Sequence, residues 1–164
     1  MKIIAHRGNI NGPDLERENQ PAYIERALRM GYDAEIDLWC PDGDALWLGH
    51  DEPLYEISEL WLFEFINKLW VHCKDVGAAK YCSINGGRIK PEDLKLHYFW
   101  HQDDDRTLTS RQLWWTFPGQ EIHPMAIAVL PENTDWPDSE LQYVMAICTD
   151  EAEEYRQWYQ SLHS

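Results

Sequence analysis

Glu35 and Asp37 stand two residues apart in EIDLW, a segment that is otherwise apolar. In an extended strand alternate side chains share a face, so both carboxylates point the same way, with roughly 6–7 Å between their α-carbons. Like charges placed so repel, and something on that side of the sheet must offset the repulsion. Other polar residues stand at or near the ends of further apolar runs: His6-Arg7-Gly8, Gly49-His50-Asp51, His72 and Lys74 in WVHCK, then HQDDD and WWTF. In α/β folds with parallel sheets, functional groups gather at C-terminal strand ends. Imidazoles titrate near neutral pH, while Arg and Lys hold anions. The set suits acid–base chemistry on an anion.

The charge balance sharpens that reading. The formal net charge of −15 removes nucleic acid and anionic membrane as expected partners, because both need a basic face. An anionic substrate has to meet a local cation, either a metal ion or a few placed Lys and Arg. The 164 residues fit one domain, 1–164, with a real core. Nine Trp and eight Tyr exceed what a core of that size needs, so some are expected to line a cleft or an interface. Cys40, Cys73, Cys82 and Cys148 show no CxxC spacing and read as reduced thiols. The opening MKIIAHRG runs straight into a strand and no apolar run approaches about 18 residues, so a cytoplasmic protein is expected.

Short apolar runs at 2–5, 34–38, 45–48, 70–73, 98–100, 113–116, 126–130 and 144–148 predict strands. Most are continuously apolar rather than alternating, as in parallel strands covered on both faces. ENQPAYIERALRMG predicts a helix started by Asn19 or Gln20, with Pro21 in its first turn and Gly31 after its end. SELWLFEFINKL predicts a second, capped by Ser58, and DEAEEYRQWYQSLH a third, with Asp150 as N-cap and Glu153 closing a capping box. The turn in CPDGDA folds residues 45–48 back as a hairpin arm. The rhythm is α/β, with a second half poor in helix.

The ordered elements IAHRGN, EN, a helix ending in Gly, EID, a DG turn and GHDEPL, all within residues 4–54, resemble the glycerophosphodiester phosphodiesterase family. That family lies in the superfamily of phospholipase-C-like phosphodiesterases. WWTF and AICTD are similar to its last strands. The resemblance implies a metal-dependent phosphodiesterase built on a (β/α) barrel. Glu35 and Asp37 would be metal ligands, which gives the paired carboxylates their reason. His6 and His50 would be the acid and base, acting through attack by the substrate's own hydroxyl and a cyclic phosphate. Arg7, Glu18 and Lys74 would contact substrate, and Trp115 would either shelve the leaving group or pack in the core. Asn19 would cap a helix or join the site, Asp51 would orient His50 or cap a turn, and His101 with Gln102 could add contacts. The family's third acidic ligand, two residues before a Lys, is replaced here by His72. Histidine either binds the ion, shifting preference from Mg²⁺ or Ca²⁺ toward Mn²⁺ or Zn²⁺, or leaves the position to water.

Such barrels run to about 250 residues. The expected fold is therefore a shortened or incomplete TIM-like barrel of seven or eight strands with several outer helices missing. The bare strand faces predict a homodimer. Two other readings stay open: a degenerate barrel that binds a phosphorylated ligand without turnover, and a lyase that stops at the cyclic phosphate.

Overall fold

The segments KIIA and DAEIDLW are apolar enough to be covered on both sides. They form the parallel strands β1 (Lys2–Ala5) and β2 (Asp33–Trp39), and β2 is buried through Leu38. The structure, a computed structural model, describes residues 1–85 and 96–163. After β1 the chain makes a 3₁₀ turn at His6–Gly8, then enters α1 (Pro21–Arg29). Pro21 sits in the first turn of that helix and Gly31 follows its end at φ +96. Its Ile24 and Leu28 pack against the outer face of the sheet. Gln20, not Asn19, holds the N-cap position.

Past β2 the expected arm folds back as β3 (Leu46–Leu48) and is extended by β4 (Tyr55–Ile57), both antiparallel. Ser58 caps α2 (Glu59–Glu64), accepting from Trp61 N at 3.1 Å. Then come β5 (Leu69–Cys73), α3 (Val76–Asn85), β6 (His97–Trp100), β7 (Arg106–Leu108), β8 (Trp114–Thr116) and β9 (Ala126–Val129). The short α4 (Asp138–Leu141), β10 (Ala146–Thr149) and α5 (Ala152–Ser161) complete the order. The expected capping box does not form. Glu151 is the N-cap of α5, with no side-chain cap, because the Asp150 carboxylate is engaged elsewhere.

The fold is mixed α/β. Parallel neighbours run β6-β5-β2-β1-β10-β9-β8. Although β5 and β6 lie at one end of this order and β8 at the other, their inward rings meet. Phe99 and Trp115 stack at 4.3 Å between centroids, and Trp70 stands 6.0 Å from Trp115. The sheet therefore curls round a core of Ile4, Trp70, Phe99, Trp115, Ile127, Val129, Ala146 and Cys148. A second core of Ile36, Leu38, Val71 and Leu62 fills the space under the helices.

The expected barrel is only partly drawn. Among the described residues β6 and β8 do not pair; β7 stands between them, antiparallel to β8. Its link to β6 runs through single contacts: Ser110 N to the Tyr98 carbonyl at 2.8 Å, Tyr98 N to Ser110 Oγ at 3.0 Å and Thr107 Oγ1 to the Trp100 carbonyl at 2.8 Å. No helix is described between β8 and β9. Leu108 and Trp114, paired across β7 and β8, stay exposed there, with Met125 also exposed just before β9. The four cysteines are free and buried, and no described helix is long and apolar enough to cross a membrane.

Candidate active site

Three acids share the inner face of β2 because they fall at every second residue: Asp33, Glu35 and Asp37. Each meets a different answer to its charge. Asp33, nearest the N-terminal end, takes Lys2 Nζ at 2.5 Å and Trp70 Nε1 at 3.0 Å. Asp37, at the other end, is fully buried and surrounded by donors. Asn19 Nδ2 reaches its Oδ2 at 2.9 Å, and its backbone N–H donates to Asn19 Oδ1 at 3.0 Å. Arg7 Nε lies 3.2 Å from Oδ2, out of line for a hydrogen bond. His72 Nδ1 and Lys74 Nζ lie 2.9 Å and 3.5 Å from Oδ1. Burial pushes this carboxyl toward neutrality, but the His72 hydrogen bond and the charges of His72, Arg7 and Lys74 hold it well below the usual range.

Glu35 lies between. It is 2 % exposed, its Oε2 accepts the Arg7 backbone N–H at 3.2 Å, and its Oε1 faces His72 Nδ1 at 3.9 Å. Burial and the neighbouring Asp37 charge both raise its pKa. The Arg7 amide reaches it because Arg7 sits at φ +50, an uncommon backbone for a non-glycine residue and one that turns the chain directly after β1. Glu18 accepts from Arg7 Nη1 at 3.0 Å and from Asn9 Nδ2 at 2.9 Å, so it steers the guanidinium from behind.

His72 is the ladder partner of Asp37 on β5, which puts its ring beside both acids. Glu35, Asp37 and His72 each offer one donor atom within 4.8 Å of the others, so the three could hold a metal ion. Two carboxylates and an imidazole are a common donor chemistry for a divalent cation.

His6 stands at the end of β1 with Nδ1 2.8 Å from Asp150 Oδ1 at the end of β10. Burial works against its imidazolium, yet the Asp150 hydrogen bond and the Glu35 and Asp150 charges raise its pKa. Asp150 is itself braced: Asn9 Nδ2 donates to it at 2.8 Å, and its backbone N–H donates to Glu132 at 2.8 Å. His50 comes from the loop after β3. Burial and the Arg7 charge lower its pKa, and its Nδ1 lies 2.7 Å from Asp51, a residue 90 % exposed at its side chain. Gly49 makes the approach of this loop possible: at φ +153, a Cβ there would stand 2.0 Å from the Glu52 carbonyl oxygen.

These groups meet at a cleft of about 360 Å³ lined by His6, Arg7, Glu35, His50, His72 and Lys74 on one side. Phe99, Trp115, Phe117, Val129 and Leu130 line the other, with His101 and Gln102 beside them. Of the residues singled out in the sequence, Glu18, Asn19 and Asp37 lie behind this wall rather than on it. Asn19 clamps Asp37 instead of capping a helix. Trp115 is both core and floor: it is 2 % exposed and stacks on Phe99, yet it borders the cleft. Asp150 and Asn9 were not picked out as site residues. The signal for Asp150 was present, since AICTD places an acid directly after an apolar run, as at the other strand ends.

No family model matches the chain, and no curated protein matches it. Among solved structures it is similar to the crystal structure of a glycerophosphodiester phosphodiesterase from Parabacteroides distasonis ATCC 8503. The two share 14 % identity over 99 % of this chain and 98 % of the other, with a TM-score of 0.50. At that identity the likeness is one of fold, and it relates this α/β architecture to a phosphodiesterase structure.

Proposed function

We propose that the protein is a short, divergent glycerophosphodiester phosphodiesterase-like enzyme that cleaves a small phosphodiester with a hydroxyl beside the ester. The convergence of His6, His50, Arg7 and Lys74 on the cleft that Glu35 and His72 also line, with Asp37 completing their cluster from behind the wall, carries this reading. A cleft of about 360 Å³ suits a small ligand such as a glycerophosphodiester or a phosphate-linked saccharide unit. Glu35, Asp37 and His72 would hold a divalent cation, which supplies positive charge to the phosphate oxygens when bound.

The charged partners of the two histidines support a division of the proton traffic. His50 Nδ1 lies 2.7 Å from Asp51 Oδ1; with the proton on that nitrogen, Nε2 of the neutral ring is free to take another. A lowered pKa keeps that ring neutral. His50 is therefore the base that removes the proton of the attacking hydroxyl as its oxygen bonds to phosphorus. Asp150 accepts from His6 Nδ1 and favours the imidazolium, so Nε2–H of His6 protonates the leaving alkoxide as its bond to phosphorus breaks. The product is a cyclic phosphate. In the second step the roles reverse: His6 takes a proton from water and His50 returns one to the ring oxygen. Arg7 and Lys74 orient the phosphate.

Turnover of glycerophosphocholine and an aryl phosphodiester with Mg²⁺, Mn²⁺ or Ca²⁺, lost in His6→Ala and His50→Ala, is the expected result. Phosphorus NMR separates full hydrolysis from release of the cyclic phosphate. Binding of a phosphorylated ligand with no turnover under any metal would favour the non-catalytic reading, which the loss of a third carboxylate at His72 supports. The free, buried thiols support a reducing compartment such as the cytoplasm.

A further inference from the structure

His72 has two ring nitrogens, and they face different surroundings. Nε2 lies 3.3 Å from the backbone carbonyl oxygen of His101. A carbonyl oxygen only accepts, so this contact requires the N–H to be on Nε2. Nδ1 is then the nitrogen turned to the acids, a donor to Asp37 when it also carries a proton and a lone pair for a cation when it does not. It faces Asp37 Oδ1 at 2.9 Å and Glu35 Oε1 at 3.9 Å. The two carboxylate side chains are only 1 % and 3 % exposed. The ring cannot turn away easily, because it stacks on Phe99 at 6° and 5.0 Å. A proton on Nδ1 would satisfy Asp37 alone, since 3.9 Å is beyond hydrogen-bond reach of Glu35. An ion bound by all three satisfies every acceptor.

From this donor set we infer that His72 ligates through Nδ1, that the His101 carbonyl fixes its tautomer, and that the centre prefers a first-row transition ion (Mn²⁺, Co²⁺ or Zn²⁺) to Ca²⁺ or Mg²⁺. The inference rests on the reading of this cleft as a metal centre. Hard Ca²⁺ and Mg²⁺ take oxygen donors, whereas an imidazole nitrogen raises affinity for transition ions. A ligating histidine whose second nitrogen donates to a backbone carbonyl is the usual arrangement around such ions. The ladder register makes the choice specific to this chain. Position 72 lies directly across from Asp37, so the ladder sets the His72 ring beside the acids.

The test uses the metal-stripped full chain. Calorimetric titration with each ion alone is expected to show Mn²⁺, Co²⁺ and Zn²⁺ binding at least about tenfold more tightly than Ca²⁺. Pulsed electron paramagnetic resonance of the Mn²⁺-loaded protein is expected to show nitrogen coupling from one imidazole. His72→Glu should abolish that coupling and move the preference to Ca²⁺ or Mg²⁺; circular dichroism checks its fold, and the wild-type spectrum decides the matter if the variant fails. Equal binding of Ca²⁺ and Mn²⁺, an absent nitrogen signal, or a signal that survives in folded His72→Glu would each overturn the inference. Nitrogen-coupled metal without diester turnover would sink the enzymatic reading and leave this one standing. Turnover in excess chelator without nitrogen coupling would do the reverse.

Discussion

Replacing Asp150 by Asn tests the proton assignment at its most sensitive point. The His6–Asp150 contact is 2.8 Å long, and both side chains are under 15 % exposed, so solvent screens it little. A hydrogen bond to a charged group contributes about 1.5–3 kcal/mol, so losing the Asp150 charge should make His6 titrate at a lower pH in the variant. Burial, the largest influence on His6, would then be opposed mainly by Glu35. The stability change has a defined window. His6 is raised, so its contribution is complete below the unfolded value of 6.5 and fades as pH rises through the folded value. Asp150 is lowered, so its contribution holds above the unfolded value of 3.8 and fades as pH falls through the folded one. The variant should therefore lose about 1.5–3 kcal/mol near pH 5.5 and less at alkaline pH, where neutral His6 still donates but carries no charge. Nitrogen-15 NMR titration, with the His6 signal assigned by its loss in His6→Gln, reads the midpoint directly. Urea denaturation across pH reads the stability. An unchanged His6 midpoint, or an equal stability loss at acid and alkaline pH, would falsify the pairing as the source of the acid.

Gly49→Ala should cost at least about 3 kcal/mol in urea denaturation, because the added carbon would meet the Glu52 carbonyl oxygen at 2.0 Å. A neutral result would mean that the His50 loop is not held against residue 52. Asn19→Ala strips two hydrogen bonds from buried Asp37 and should cost about 1–3 kcal/mol for each group left unpaired, measured the same way. Trp115→Ala opens the centre of the curled sheet and should lose about 3–5 kcal/mol, whereas Trp115→Phe should retain most of that stability. The homodimer expected from the helix-poor side would use the exposed Leu108, Trp114 and Met125; Trp114→Glu should then shift light-scattering mass to the monomer, and a wild-type monomer at all concentrations rules the pairing out.

What could be read in advance was whatever depends on neighbours along the chain. The alternation that put Glu35 and Asp37 on one face, Pro21 in the first turn of α1 and Ser58 as a cap are all local rules, and the structure follows them. The failures share a cause. Asp150 has the spacing of a capping residue, but a histidine 144 residues away holds it more strongly than a helix terminus would. Asn19 likewise has the look of a cap, and Asp37 takes both ends of its amide. The strand β7 lay hidden in a polar run, because its three residues are ordered by β8 and by hydroxyl contacts rather than by any apolar pattern of their own. The second half of the barrel pattern fell short for the same reason: helices that the sequence lacks could not be replaced by anything visible in it.

The unequal joining of the curled sheet has a consequence for how the cleft can behave. His6, Glu35, Asp37, His72 and Asp150 stand on or directly after β10, β1, β2 and β5, whose ladders are continuous. Phe99, Trp115 and Phe117 stand on or beside β6 and β8, which ladder to β5 and β9 but, among the described residues, meet each other through β7, the Ser110 contacts with Tyr98 and the stack of Phe99 on Trp115. The reacting atoms thus sit on an unbroken run of parallel ladders, and the break in that run falls between β6 and β8, among the aromatic residues of the cleft. Changes in cargo size would be absorbed at that break, leaving the alignment of the charged groups untouched.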